Sequence, residues 1–350
     1  MAMKKSNDLY DCSGCSLCLL VCPVWRKTRD FSLTPLGRAK SLQNGREIET
    51  ASVESCTLCM ACNPVCPEQI DQVEIIAKLR RQRYFAQVGK GEFPLAARDN
   101  FAADEEAGRL SDPVTGLTAT RKLLTSGNFS AGSQTTVLIP DSTLLARPDT
   151  LARIVNLLGG SGEIILCEDD GSDLSLALES GTDLPELRLK AFLAAFKPDK
   201  KIIVADGLLL YQMKRWLPAA QLISLGEALG TQPTLRSRLL ATDLYVIEAR
   251  AYHADYQRLV RHYDKLRAEC GSTFNLDLQR IAIPATSRSL PQRLGLLAHE
   301  DVEQAQWILK GRNIKRIVVE HFDDYLALEK VSTLPIIHLA DLLKDKGLHA

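Results

Sequence analysis

Short apolar runs alternate with amphipathic stretches through the C-terminal part of the chain. From residue 135 onward, the apolar runs predict buried strands, and stretches with apolar residues three or four apart predict helices. In the first half of this region, the predicted strands are TVLIP (136–140), GEIILC (162–167) and KKIIVAD (200–206), and the predicted helices span 148–158, 187–196 and 208–216. Strands that alternate with helices in this way are typical of a parallel sheet with helical crossovers.

The same order returns in the second half of this region. Here the predicted strands span 243–249, 280–284, 314–320 and 335–339, and the predicted helices span 255–268, 302–310 and 340–344. The two halves repeat at a spacing of about 105 residues, and an internal repeat indicates a duplicated structural unit. The pattern therefore predicts two repeated α/β lobes with parallel sheets, related by pseudo-two-fold symmetry.

The first 100 residues have a different pattern, in which helical stretches surround cysteine-rich loops. The segment TPLGRAK (34–40) predicts a turn followed by a short helix, and 69–87 predicts a longer helix. Residues 101–134 end in a Gly- and Ser-rich stretch that predicts a linker. We therefore expect an α+β multidomain chain, divided into a mostly helical domain (1–100), the linker (101–134), a first lobe (135–238) and a second lobe (239–350).

Composition excludes some classes of protein. The 350 residues are 45% hydrophobic and 25% charged, which is ordinary for a protein with packed cores. Lys and Arg number 43, as do Asp and Glu, so the formal net charge is zero. This balance argues against nucleic-acid binding driven by phosphate neutralisation and against a polybasic membrane surface. No apolar run is long enough to be a transmembrane helix, and the N-terminus does not read as a secretory signal. A cytoplasmic protein is expected.

The most specific signal lies in the cysteines. The chain has 10, and eight of them form two groups with the spacing C-x2-C-x2-C-x3-C, each followed directly by proline. The eight are Cys12, Cys15, Cys18, Cys22, Cys56, Cys59, Cys62 and Cys66. This run is that of bacterial ferredoxins, and it predicts two [4Fe-4S] clusters.

The spacing also predicts which cysteines share a cluster. Three thiolates two residues apart lie on one tight loop, and the fourth thiolate points away and ligates the other cluster. The first cluster is therefore expected on Cys12, Cys15, Cys18 and Cys66, and the second on Cys56, Cys59, Cys62 and Cys22.

Cysteines in such numbers have two other common uses, in disulfides and in zinc sites. A disulfide framework needs an oxidising compartment, and the sequence shows no export signal. Two zinc sites need only four ligands each, commonly as separated C-x2-C pairs, and they give no reason for a third cysteine followed by x3-C-P in both groups. The two remaining cysteines are isolated: Cys167 is expected to be a small buried residue on a strand, and Cys270 to end a helix.

A basic segment, KLRRQR (78–83), follows the second cysteine group. One interpretation is a solvated helix face. The other is a docking patch for an acidic partner, because complementary charge steers association.

The chain resembles the iron–sulfur subunits of glycolate oxidase, anaerobic glycerol-3-phosphate dehydrogenase and heterodisulfide reductase. The two cysteine runs with their prolines, followed by Pro35, Gly37 and Arg38, look like the α-helical dicluster ferredoxin-like domain of that family. The resemblance implies that the α/β lobes correspond to its two Cys-Cys-Gly repeats, in which paired cysteines build an additional redox site.

The chain departs from that family pattern in the lobes. The positions of the family cysteines carry other residues, namely Ser142, Ser172, Asp173, Gly207, Leu210, Tyr252, Phe322 and Tyr325. A redox site needs several soft sulfur ligands, and only Cys167 and Cys270 occur beyond residue 66. The lobes are therefore expected to keep their shape without that site and to serve in docking.

The resulting functional hypothesis is an electron-transfer subunit with no catalytic residues of its own. It would relay electrons through two [4Fe-4S] clusters between a partner, a flavoprotein dehydrogenase or other redox subunit, and a downstream acceptor. No nucleotide-binding motif opens a helix in the chain. Two alternatives stay open: a disulfide- or quinone-reducing subunit of a heterodisulfide-reductase-like complex, and a non-redox interaction or sensor protein with structural clusters. Peripheral association with the inner face of a membrane, through a partner, is compatible with the first hypothesis.

Overall fold

The computed structural model describes residues 8–89, 136–159, 164–196, 200–278, 280–286, 288–293 and 302–344. The predicted linker at 101–134 lies outside these residues. Within them, no helix is both long and apolar enough to cross a membrane.

The N-terminal region is helical, as predicted. Its helices are α1 (Leu17–Val21), α2 (Pro23–Thr28), α3 (Pro35–Gln43), α4 (Thr50–Glu54) and α5 (Gln72–Gly89). The prolines explain where α2 and α3 begin, because proline fits the first turn of a helix, where its missing N–H has no helical acceptor. Thr34 caps α3 by accepting a hydrogen bond from the Gly37 amide at 3.0 Å.

A first parallel sheet follows, in the order β2-β1-β3-β4. Its elements are β1 (Thr136–Ile139), α6 (Ser142–Leu145), α7 (Pro148–Leu158), β2 (Ile164–Leu166), α8 (Ser172–Ser180), α9 (Glu186–Ala194), β3 (Lys201–Val204), α10 (Gly207–Trp216), β4 (Gln221–Ser224), α11 (Leu225–Gly230) and α12 (Pro233–Arg236). The strands that the sequence predicts appear as β1, β2 and β3. The edge strand β4 was not predicted, because its four residues carry only a short apolar run.

A second parallel sheet has the order β10-β9-β5-β6. Its region contains β5 (Asp243–Val246), α13 (Ala249–Ala254), α14 (Tyr256–Cys270), β6 (Thr273–Phe274), β7 (Leu276–Asp277), β8 (Ile281–Ala282), α15 (Leu290–Arg293), α16 (Glu303–Leu309), β9 (Arg316–Val319), α17 (Phe322–Glu329) and β10 (Ile336–His338). Numbered from its own first strand, this sheet has the order 2-1-3-4, as the first sheet does. The repeated order agrees with the duplication seen in the sequence.

Two predicted elements of the second sheet are wrong in detail. The strand expected at 280–284 is the short β8, which pairs antiparallel with β7, and β6 occupies the sheet edge instead. The buried Asn275 explains the change, because its side chain bonds the Ile247 amide and the carbonyls of Ile247 and Ile283, in place of strand partners. The helix expected at 340–344 is a 3₁₀ turn, Leu339–Asp341.

The two sheets share one apolar core. Leu138 and Ile203 from the first sheet and Tyr245 and Val318 from the second belong to the same set of packed, buried side chains. The division into lobes at residue 238 therefore crosses a continuous core, and the domain boundaries remain a prediction.

The N-terminal helices pack on α10 of the first sheet region. Leu208 and Tyr211 of α10 lie in one apolar cluster with residues of α3, α4 and α5. Arg215 of α10 pairs with Asp71 at 3.2 Å and with Glu74 at 2.5 Å. These contacts hold the cysteine loops against the carboxyl ends of the strands.

Candidate iron–sulfur site

The eight motif cysteines lie in two loops of the N-terminal region. Cys12 and Cys15 precede α1, Cys18 lies within α1, and Cys22 separates α1 from α2. The second group lies in the irregular chain between α4 and α5. Cys22 and Cys59 are buried and Cys15 is exposed, whereas the other motif cysteines are half-buried. One end of the site therefore reaches the surface and the other lies inside the protein.

Both loops bend through the left-handed backbone region at matching places. The residues on either side of the second cysteine of each motif have positive φ: Gly14 (81°) and Ser16 (67°) flank Cys15, and Leu58 (52°) and Met60 (63°) flank Cys59. Left-handed residues between right-handed ones make concave loops whose N–H groups suit an anion. Leucine and methionine rarely adopt this conformation, so these residue types do not predict it in the second loop.

Cys66 of the second motif is within electrostatic range of Cys18 of the first motif. The pKa of Cys18 is raised to about 11, first by burial and then by the charges of Cys12, Cys15 and Cys66. Cys12, Cys15 and Cys66 are thus near enough to Cys18 for their charges to act on it.

Cys22 joins the second motif around one cavity. Cys22, Cys56, Cys59 and Cys62 line it. The remaining wall is largely apolar and includes Pro23, Val24, Leu33, Pro35, Leu58, Met60, Ala61 and Val73. Burial is the main cause that raises the pKa of Cys22 to about 12, and the charges of Cys59 and Cys56 add to it. Four soft sulfur donors around one apolar cavity fit a [4Fe-4S] cluster, which binds through four cysteine thiolates.

Two buried arginines support the second loop. Arg38 is 2% exposed, lines the same cavity and donates to the carbonyl oxygens of Leu33 and Ser52 at 3.0 and 2.8 Å. Arg80 is 3% exposed and donates to the carbonyl oxygens of Cys56 and Glu179, both at 2.6 Å. Both side chains connect segments that are far apart in the sequence.

The position of Arg80 corrects the interpretation of the basic segment at 78–83. Both hypotheses for that segment assumed a row of exposed cations, but Arg80 points into the protein. Its neighbours on α5 have local partners: Lys78 pairs with Glu74 and Arg81 with Asp183. A helix of this pattern places every third or fourth residue on the buried side, and a cation is tolerated there because main-chain carbonyls accept its hydrogen bonds.

The second sheet region also contacts the second cysteine loop. His253 of α13 bonds the Cys59 carbonyl oxygen through Nδ1 at 2.8 Å, and Arg250 donates to the Thr57 carbonyl oxygen at 2.8 Å. Burial lowers the pKa of His253 to about 4, so its ring is neutral and Nδ1 carries the proton that the carbonyl accepts. The sequence does not predict either contact, because nothing near residue 250 shows that it reaches residue 59.

A second cavity lies where the carboxyl ends of the strands of both sheets meet. Ser142, Ser172 and Gly207 line it together with Thr57 and Cys59. At Gly207 a Cβ atom would lie 2.3 Å from the Ala251 amide nitrogen, so no side chain, cysteine included, fits there without movement. In open α/β sheets this edge is where ligands bind.

Three of the carboxylates around this cavity cap helices. Asp141 accepts from the Leu144 amide at 2.7 Å, and Asp206 accepts from the Leu209 amide at 2.7 Å. Glu248 accepts from the Arg250 amide at 3.1 Å. These caps satisfy amides at the starts of α6, α10 and α13.

Burial and neighbouring charges shift the pKa values of several groups in the second cavity. Burial opposes the charge of His321, but the Asp141 carboxylate at 2.5 Å raises the pKa of that imidazole well above its ordinary value. Burial raises the pKa of Asp324 to about 7 and also raises the pKa of Glu248. Perturbed groups of this kind, gathered in a cleft, are typical of functional sites.

The other positions aligned with family cysteines lie in varied surroundings. Leu210 and Tyr252 are buried in the core, Asp173 pairs with Arg188, and Phe322 stacks on His338. Tyr325 packs at the edge of the second sheet's core.

Cys167 is buried as predicted but directly follows a strand instead of lying on it, and Cys270 ends a helix as predicted. Cys167 is 8% exposed, directly follows β2 and packs in the core of the first sheet. Cys270 is the last residue of α14, before Gly271 with φ of 69°.

Comparison with known proteins agrees with the geometry of the first 70 residues. Residues 8–70 match the family model of the 4Fe-4S dicluster domain. The chain is also similar to an uncharacterized iron–sulfur protein of Methanocaldococcus jannaschii, 34% identical over 88 residues, which cover 22% of this chain and 18% of that relative's length. No solved structure matches. The chain is thus an iron–sulfur protein that carries a 4Fe-4S dicluster domain at its N-terminal end.

Proposed function

We propose that the chain is an electron-transfer subunit with two [4Fe-4S] clusters. It relays electrons between a partner, a flavoprotein dehydrogenase or other redox subunit, and a downstream acceptor. The observation that supports this most is the cavity in which Cys22 of the first motif lies with Cys56, Cys59 and Cys62 of the second. Such an exchange of the fourth cysteine is the arrangement of two-cluster ferredoxins.

The two ligand sets are close enough to influence each other. The pKa of Cys62 is raised well above its ordinary value, first by burial and then by the charges of Cys59, Cys56, Cys22 and Cys18. Cys18 belongs to the other set, so the sets are neighbours. Bound clusters would supply one-electron chemistry, and the fold of the N-terminal region keeps the two ligand sets side by side.

One ligand set is accessible to a partner protein. Cys15 is exposed, and Leu17 and Leu20 beside it are 42% and 55% exposed. Exposed apolar side chains around a redox centre suit a transient protein contact. We place electron exchange with the partner at this loop, and we assign the α/β lobes a role in holding the partner. The proposed location is the cytoplasm, with membrane association only through a partner.

A second candidate is a subunit that itself reduces a disulfide or a quinone. The second cavity favours it, because Cys59 and Thr57 share that cavity with His321 and Asp324. Electrons from the neighbouring cluster and protons from these side chains would meet there.

A redox titration of the anaerobically purified chain tests these proposals. Dithionite should produce EPR signals of two reduced clusters, and ferricyanide should remove them reversibly, because an electron carrier cycles between states. The reduced chain, mixed with a small disulfide or quinone, should stay reduced. Turnover of either compound by the chain alone would favour the second candidate, whereas clusters that do not respond to dithionite would favour a structural or sensor role.

A further inference from the structure

Arg38 is a buried cation that faces the second cluster cavity. Its side chain is 2% exposed and lies in the cavity wall with Cys22, Cys56, Cys59 and Cys62. Its two hydrogen bonds go from Nη1 to the carbonyl oxygens of Leu33 and Ser52. Among the described residues, Nε is buried and has no hydrogen-bond partner.

The charge of Arg38 has no carboxylate beside it in the described part of the chain. Carbonyl oxygens satisfy some of its N–H groups, but they do not neutralise a full positive charge. A buried charge is costly unless an opposite charge lies near it. The cysteines that line the cavity with Arg38 would supply that opposite charge when they bind a cluster as thiolates.

We propose that Arg38 is a positioning residue that sets the reduction potential of the buried cluster by supplying its counter-charge. This inference rests on the proposed function, since it assumes a [4Fe-4S] cluster on Cys22, Cys56, Cys59 and Cys62. Adding an electron increases the negative charge at a buried place, and low local polarity disfavours that change. A fixed cation in the cavity wall offsets the penalty, because net charge and hydrogen bonding near the sulfurs are among the factors that set cluster potentials.

Arg80 differs from Arg38 although both are buried. Within the described residues, its hydrogen bonds all go to main-chain carbonyl oxygens, those of Val53, Glu54, Cys56 and Glu179, and its side chain does not line the cavity. Arg80 therefore supports the loop, whereas Arg38 lines the cavity.

Potentiometric titration followed by EPR measures the effect in the full chain. Arg38→Met removes the charge and keeps a long apolar side chain, so it should make reduction of the second cluster at least tenfold less favourable. For a one-electron couple this is a downward shift of 59 mV or more. The reduction equilibrium of the first cluster should change by less than twofold. Arg38→Lys, which keeps the charge, should leave the reduction potential of the second cluster close to that of the wild-type protein. The exposed control Arg81→Met should change the reduction potential of neither cluster.

Each outcome decides the inference separately from the proposed function. If the Arg38→Met protein binds both clusters and the reduction equilibrium of neither cluster changes by more than twofold, the inference is wrong while the electron-transfer proposal stands. If Arg38→Met loses the second cluster, the lysine variant decides. A lysine variant with the cluster and a near-normal midpoint supports the role of charge, and a lysine variant that also loses the cluster shows that side-chain shape matters instead. Wild-type protein without iron–sulfur signals would overturn the proposed function itself.

Discussion

Replacing Cys22 with alanine is expected to remove about half of the iron from the anaerobically purified protein, from about eight to about four atoms per chain. Cys22 follows the first motif in sequence, yet it lines the cavity of Cys56, Cys59 and Cys62. A cubane that loses one of four thiolates in a buried, apolar cavity has no replacement ligand there. The loss should therefore fall on the second cluster.

Double variants identify which cluster remains. Adding Cys62→Ala to Cys22→Ala should cost no further iron, because both residues serve the same cluster. Adding Cys15→Ala should remove the remaining iron. Cys167→Ala is the matched control, since this cysteine is also buried but lies in the first sheet's core, and it should leave the iron content unchanged. If adding Cys62→Ala removed the remaining iron and adding Cys15→Ala removed none, each motif would hold its own cluster without exchange of the fourth cysteine.

Replacing Arg80 with methionine is expected to lower the free energy of unfolding by about 3–5 kcal/mol, since several buried carbonyl groups lose their donor at about 1–3 kcal/mol each. The guanidinium connects the Cys56 carbonyl in the cluster loop with the Glu179 carbonyl at the end of α8. Urea unfolding followed by circular dichroism, under anaerobic conditions, measures the change.

Arg81 provides the control for Arg80. It is the next residue on α5, but it is exposed and pairs with Asp183 at the surface, so Arg81→Met should change stability by about 1 kcal/mol or less. Arg80→Lys keeps part of the donor capacity and should fall between the two. Equal unfolding midpoints for the Arg80→Met and Arg81→Met proteins would contradict the structural role of Arg80.

The sequence predicted the parts of the molecule that depend on local patterns. Cysteine spacing predicts the ligands that we propose for the clusters, and alternating strands and helices predict parallel strands, as found for β1, β2 and β3 and for β5, β9 and β10. The edge strands were harder: β4 has little apolar signal, and β6 consists of two residues beside the buried Asn275.

The rest of the site depends on long-range contacts that a local pattern does not record. Nothing near Arg80 or His253 in the sequence indicates that their partners are Glu179 and Cys59. The charge of Arg80 suggested an exposed surface, because the carbonyl groups that accept its hydrogen bonds come from distant segments. The second cavity was also unforeseen, since it forms only where the strand ends of both sheets meet the second cysteine loop.

We propose that two [4Fe-4S] clusters occupy the eight motif cysteines. The most direct test is a determination of iron, acid-labile sulfide and zinc in the anaerobically purified full chain, against protein concentration. The account predicts about eight iron atoms and about eight sulfides per chain, since each cubane contributes four of each. About two zinc atoms per chain without acid-labile sulfide would contradict it.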